Sequence, residues 1–168
     1  MLHFGKILGA LVMLFDMAKA VVAYRLAAHF FPYLPYVAMV AGGSAVVGHV
    51  FPFYLHFQGG KGLAAFAGLV LAYNPWVFLF LLVSGVTLMI LVNYSFILPY
   101  YAGIAFVVFV GADTKSLPML LLAVAVVALI LIKHAENVRK AREGTDVKIR
   151  EQIKKLFSSQ AKENHRHS

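Results

Sequence analysis

Cysteine is absent from the 168 residues. That removes disulfides, a thiolate nucleophile and any cysteine-based metal site. Charge is scarce too: Asp, Glu, Lys and Arg together make 13% of the chain, against roughly 25% in an average soluble domain. A water-soluble domain of this size needs more polar cover than that, so this class is excluded. Intrinsic disorder and a disulfide-stapled secreted fold are excluded with it. What the chain has instead is apolar residues, 61% of the total, with a mean hydropathy of +0.80. The length suits one domain, and the composition predicts an all-α polytopic membrane protein.

The charge that is present is unevenly placed. Fifteen Lys and Arg face seven Asp and Glu, a formal net charge of +8. Ten of those bases and five of the acids lie between Lys133 and Ser168. A basic stretch beside a membrane segment marks the cytoplasmic side and is drawn to anionic lipid headgroups. No aromatic platform interleaves these bases, so nucleic acid is not an expected partner. Two regions follow, a membrane-embedded helical part over 1–133 and a cytoplasmic basic tail over 134–168. Beyond Gly144-Thr145, the residues Ile149, Ile153, Leu156 and Phe157 recur at helical spacing among lysines, as in an amphipathic helix on a membrane surface.

Apolar runs fall at Ile7–Ala28, Leu34–Tyr54, Leu63–Tyr73, Trp76–Val92, Phe96–Val110 and Leu117–Ile132. A crossing helix needs about 20 residues. Four of the runs meet that with their flanks, Phe96–Val110 is marginal, and Leu63–Tyr73 is short enough for a tilted or partly re-entrant helix. Turn residues separate them at Phe30–Tyr33, Gln58–Gly62, Asn74-Pro75, Asn93–Ser95 and Gly111–Pro118. Tyr33, Tyr36 and Trp76 are placed as interfacial aromatics. With the tail inside and all six runs crossing, alternation puts the N-terminus, Gly59–Gly62, Tyr94-Ser95 and His134 on the cytoplasmic face of a plasma membrane. Ile7–Phe15 followed by Ala18-Lys19-Ala20 has the outline of a cleavable signal, but Asp16 and Lys19 interrupt it and the apolar run resumes at Val21.

Four groups could carry chemistry. Asp16 and Lys19, spaced i,i+3 within the first run, share a helix face and can neutralise each other, either as a packing pair or as part of a site. Gly59-Gly60-Lys61-Gly62 allows backbone N–H groups to converge on an anion, with Lys61 as counter-charge and a helix N-terminus behind it. The residues after Gly62 are Leu63-Ala64, so this is no nucleotide-binding P-loop; an ordinary turn with a snorkelling lysine is the plainer reading. His49 and His56 lack a third ligand for a metal, which leaves packing or headgroup contact. His134 and Asn137 stack at i,i+3 if the last helix continues past Ile132. Ser95, after Tyr94, has no His or Asp beside it in the sequence.

Together these residues resemble one family, the bacterial acyl-phosphate glycerol-3-phosphate acyltransferases (PlsY type). GHVFPFYLHFQGGKGLAA from Gly48 to Ala65 is similar nearly throughout to the family's Gly-His-x-Phe/Trp-Pro-x-Phe-x-x-Phe-x-Gly-Gly-Lys-Gly-x-Ala. Asp16, Lys19 and Ala20 stand for its Asp-x-x-Lys-Gly, and KHAENVRKAREGTDVKI carries its His-x-x-Asn with His134 and Asn137 in register. The resemblance implies transfer of an acyl group from acyl phosphate to the 1-hydroxyl of glycerol 3-phosphate, giving lysophosphatidic acid, with no metal, no cofactor and no covalent acyl-enzyme. It assigns Gly59, Gly60, Lys61, Gly62, His134 and Asn137 to substrate phosphate, Ser95 and Lys61 to catalysis, and His49, Asp16 and Lys19 to support. Membrane lipids are implied as surroundings, and a donor-making partner enzyme is left open.

The family pattern also contains a further N-terminal helix and a loop similar to Ser-Gly-Asn-x-Gly-Ala-Thr-Asn-x-x-Arg, with an essential serine and arginine. These residues have no counterpart here: six helices are expected in place of seven, and Met1 falls about where that loop ends. The chain is therefore expected to work with a reduced site, to derive from a longer reading frame, or to be a binding relative. Phe96 stands where a second serine is frequent, and Ala65 where threonine is. A small transporter using Asp16, Lys19 and Arg25 as a polar path is the alternative from another class.

Overall fold

The computed structural model describes residues 2–145. Six α-helices account for nearly all of them: α1 Leu2–Phe30, α2 Pro35–Val50, α3 Leu63–Tyr73, α4 Pro75–Val92, α5 Ile97–Asp113 and α6 Leu117–Arg142. A single 3-10 turn, Phe53–Leu55, interrupts the connection from α2 to α3. Each expected apolar run became one helix. α6 carries on past Ile132 without a break, so His134 and Asn137 are helical. The amphipathic helix expected around Ile149 to Phe157 lies outside the described residues.

The helix ends follow from local chemistry. Pro35 and Pro75 open α2 and α4, and Pro118 lies in the first turn of α6, where a missing N–H leaves no bond unmade. Asn74 closes α3 and caps α4, its side-chain oxygen accepting from the backbone N–H of Trp76 at 2.9 Å and Val77 at 3.2 Å. Asn93 ends α4 in the left-handed region at φ 68°.

At 11 residues α3 is only about 16 Å long, roughly half the hydrocarbon thickness of a bilayer. It nevertheless joins the two ends of the bundle. Its C-terminal Tyr73 donates to Asp113 at the end of α5 (2.5 Å). Its N-terminal side meets α6 near Ile130, where Gly62 packs. The loop over residues 51–62 that leads into it is exposed apart from Pro52 and Gly62.

Most of α3 is buried. Phe66 packs edge-on against Phe106 with centroids 5.6 Å apart, and Tyr73 meets Phe106 at the same separation. Met39, Val46, Leu69 and Ile130 complete the fully buried centre. α1 crosses α3 at Gly68: a Cβ there would stand 2.2 Å from the Met17 carbonyl oxygen, so only glycine permits this approach. The outer faces remain apolar. Leu8 through Phe15, Trp76, Phe80, Val108 and Ile132 are exposed from the bundle, the pattern of a lipid-facing surface. Pro35–Leu55, Pro75–Val92 and Leu117–Arg142 are long and apolar enough to cross a membrane by length and composition. With these spans and its apolar outer faces the chain is a membrane protein.

Candidate active site at the glycine-lysine turn

The site is assembled where α2 ends and α6 begins to turn polar. Three glycines shape the turn between them, each for its own reason. A Cβ on Gly59 would lie 2.1 Å from the His49 carbonyl oxygen, because the turn folds back on the last residues of α2 and bonds there through Gly59 N–H to Val50 O at 3.2 Å. Gly60 lies against the His49 ring. Gly62 caps α3 at φ 83° and is wedged between Ile130 and Val50. Gly59, Gly60 and Lys61 are exposed, whereas Gly62 is buried.

Lys61 leaves this turn and donates its ammonium to the side-chain oxygen of Asn137. His134, one turn before Asn137, is buried and within electrostatic range of Lys61. Its Nδ1 lies 2.9 Å from the Ile130 carbonyl, an acceptor, so Nδ1 carries the proton. In the neutral ring Nε2 is then an acceptor, suited to a hydroxyl or an ammonium. Lys61, Asn137 and His134 thus meet across 76 residues of chain, as the sequence spacing anticipated for the last two. Lys133, just before His134, places its ammonium 4.4 Å from the centroid of the Phe51 ring, a second tie between α6 and the start of the loop.

Asp16, Lys19 and His49 form a compact polar cluster behind the turn. Asp16 Oδ1 accepts from Lys19 Nζ at 2.7 Å and lies 2.9 Å from His49 Nδ1. The i,i+3 pairing was legible in the sequence. The arrival of His49 from 33 residues away was not, because no local pattern encodes it. His49 is thereby committed to a carboxylate, and His56 stands apart at the end of the 3-10 turn, in the left-handed region at φ 51°.

Ser95 lies in the turn between α4 and α5. That turn belongs to the same end of the bundle, since Tyr100, at the start of α5, donates to the Leu131 carbonyl of α6 at 3.2 Å. Among the described residues the Ser95 side chain has no hydrogen-bond partner, so its hydroxyl is not joined to Lys61. Sequence reasoning missed the cluster at the opposite end, where Tyr73 binds Asp113. A signal was available: Asp16 and Asp113 are the only carboxylates before Glu136. Two acids in so apolar a stretch each call for a partner.

The family model of glycerol-3-phosphate acyltransferase matches residues 1–144. The glycerol-3-phosphate acyltransferase of Coxiella burnetii is 32% identical over 142 residues, covering 83% of this chain and 71% of that protein. That of Caulobacter vibrioides is 33% identical over 144 residues, covering 86% of this chain and 66% of its own length. Two crystal structures of PlsY, an integral membrane glycerol 3-phosphate acyltransferase, superpose with a TM-score of 0.79 at 28% identity. One is the lysophosphatidic acid form and the other the glycerol 3-phosphate form; the match spans 86% of this chain and 74% and 72% of theirs.

Proposed function

The chain belongs to the glycerol-3-phosphate acyltransferase family, and from that membership we propose that it transfers an acyl group from acyl phosphate to the 1-hydroxyl of glycerol 3-phosphate. The hydroxyl oxygen attacks the carbonyl carbon of the mixed anhydride, the carbon–oxygen bond to phosphate breaks, and the hydroxyl proton leaves with the phosphate. The products are lysophosphatidic acid and inorganic phosphate. The donor is already activated, so the protein's task is placement and charge stabilisation.

The observation that carries this reading is the Lys61 ammonium, held by a neutral amide beside the open Gly59-Gly60 backbone. Lys61, the backbone N–H groups of Gly60 and Lys61, and the Asn137 amide hold phosphate oxygens, the Gly59 N–H being bonded to Val50. His134, its Nδ1–H fixed on the Ile130 carbonyl, presents Nε2 to a hydroxyl or to the ammonium. Ser95 reaches substrate from the α4–α5 turn. The basic residues from Lys133 onward support a cytoplasmic position for this end of the bundle, at a bacterial inner membrane, where a phosphorylated water-soluble acceptor can enter.

The test is acyl transfer by the purified 168-residue chain in lipid, with acyl phosphate and labelled glycerol 3-phosphate, against Lys61→Ala. Lysophosphatidic acid from the wild type and not from the variant is the expected result. No product together with no binding of glycerol 3-phosphate would remove this reading.

A further inference from the structure

The His49 ring is in contact along two edges. On one, Nδ1 lies 2.9 Å from Asp16 Oδ1, which also accepts from Lys19 at 2.7 Å. On the other, Nε2 faces the middle glycine of the turn: a Cβ on Gly60 would stand 2.3 Å from Nε2 and 3.0 Å from Cε1. The nearest atoms to that Cβ position all belong to His49. A carboxylate accepts, so the imidazole proton sits on Nδ1 and Nε2 is left bare against the Gly60 Cα. Lys19 Nζ, 3.1 Å from Nδ1, is a second donor on the same carboxylate. The ring thus fills the space between Asp16 and Gly60 as a spacer.

We propose that Asp16 and His49 form a brace that sets the position of the Gly59-Gly60-Lys61 turn, and so are positioning residues for the phosphate of glycerol 3-phosphate. The inference rests on the reading that this turn holds that phosphate. The turn and the residues before it, from Phe53 to Gly60, are exposed, and what ties the turn to α2 is the Gly59 N–H bond to Val50 and the His49 residue against which Gly59 and Gly60 lie. Backbone amides that must meet an anion need to be held within about 0.5 Å. Rigidity reaches them through a chain of contacts. α1 is locked on α3 where Met17 meets Gly68, Asp16 is the residue before Met17, Asp16 holds His49, and His49 backs Gly60.

Size complementation tests this. Binding of labelled glycerol 3-phosphate to the full chain in lipid nanodiscs would be measured for the wild type, Gly60→Ala, His49→Asn and the double variant. Asparagine at 49 keeps an N–H for Asp16 and empties the space that a methyl group at 60 needs. Gly60→Ala alone is expected to weaken binding about tenfold or more, and adding His49→Asn to recover about fivefold of that loss. Asp16→Asn, close in shape, gives an independent arm: a KM for glycerol 3-phosphate raised about threefold to tenfold with kcat within about twofold. A double variant no better than Gly60→Ala, or an Asp16→Asn that lowers kcat and leaves KM alone, would overturn the brace. A wild type that binds no glycerol 3-phosphate would overturn the phosphate reading, and the brace with it.

Discussion

The Lys61 ammonium donates to the carboxamide oxygen of Asn137, a neutral acceptor, so the bond positions the charge without cancelling it. The neighbouring carboxylate, Glu136, pairs with Lys140 at 2.8 Å rather than with Lys61. A site for a phosphate needs this arrangement, because a carboxylate on Lys61 would compete with the ligand.

Asn137→Asp therefore puts an anion where the ligand's charge belongs, at almost no change of shape. It is expected to weaken glycerol 3-phosphate binding by about tenfold to a hundredfold, the worth of a charge-assisted hydrogen bond of about 1.5–3 kcal/mol. Thermal stability should hold or rise through the new ion pair. Titration calorimetry and a melting curve on the same preparation read both quantities. Unchanged affinity would mean that Lys61 does not face the ligand.

The six helices were legible because each is an uninterrupted apolar run bounded by proline, asparagine or glycine, and those signals are local. Asp16–Lys19 and His134–Asn137 were legible for the same reason, since i,i+3 spacing fixes a shared face. Contacts between distant segments were not. Nothing near His49 says that Asp16 will meet it, and nothing near Gly68 says that Met17 will press on it. The roles of the three glycines separated only once their neighbours were known: the carbonyl of His49, the ring of His49, and the left-handed cap beside Ile130. Ser95 is the reverse case. Its turn was placed correctly, yet no contact made within the described residues explains its side chain.

That isolation makes Ser95 a clean probe. A hydroxyl without a partner contributes little to stability, so Ser95→Ala is expected to melt within about 0.5 kcal/mol of the wild type. A contact to substrate would still be lost, and kcat/KM should fall about tenfold, equivalent to about 1.4 kcal/mol. Steady-state kinetics beside a melting curve decide the matter. Full activity in Ser95→Ala would remove Ser95 from the site.

The opposite end of the bundle offers a control. Tyr73 and Asp113 join α3 to α5 through one 2.5 Å hydrogen bond far from the glycine turn. Tyr73→Phe removes the donor and keeps the ring that packs on Phe106. The expected cost is about 1 kcal/mol of stability, the net value of a partly solvated hydrogen bond. KM for glycerol 3-phosphate should stay at the wild-type value. A raised KM would show that the two ends of α3 are coupled.

Gly68→Ala probes how the bundle supports the site. The new methyl group would lie 2.2 Å from the Met17 carbonyl oxygen and 2.9 Å from its Cα, both backbone atoms that no rotamer change can move aside. α1 must withdraw from α3, and overpacking of this kind costs about 1–3 kcal/mol. Asp16 precedes Met17 and moves with it, so the variant should lose affinity for glycerol 3-phosphate as well as stability. The residual folded fraction, isolated by size exclusion and tested for ligand binding, separates the two effects. A Gly68→Ala chain as stable as the wild type would contradict the close α1–α3 crossing. One that is destabilised yet binds normally would place the crossing outside the mechanical support of the glycine turn.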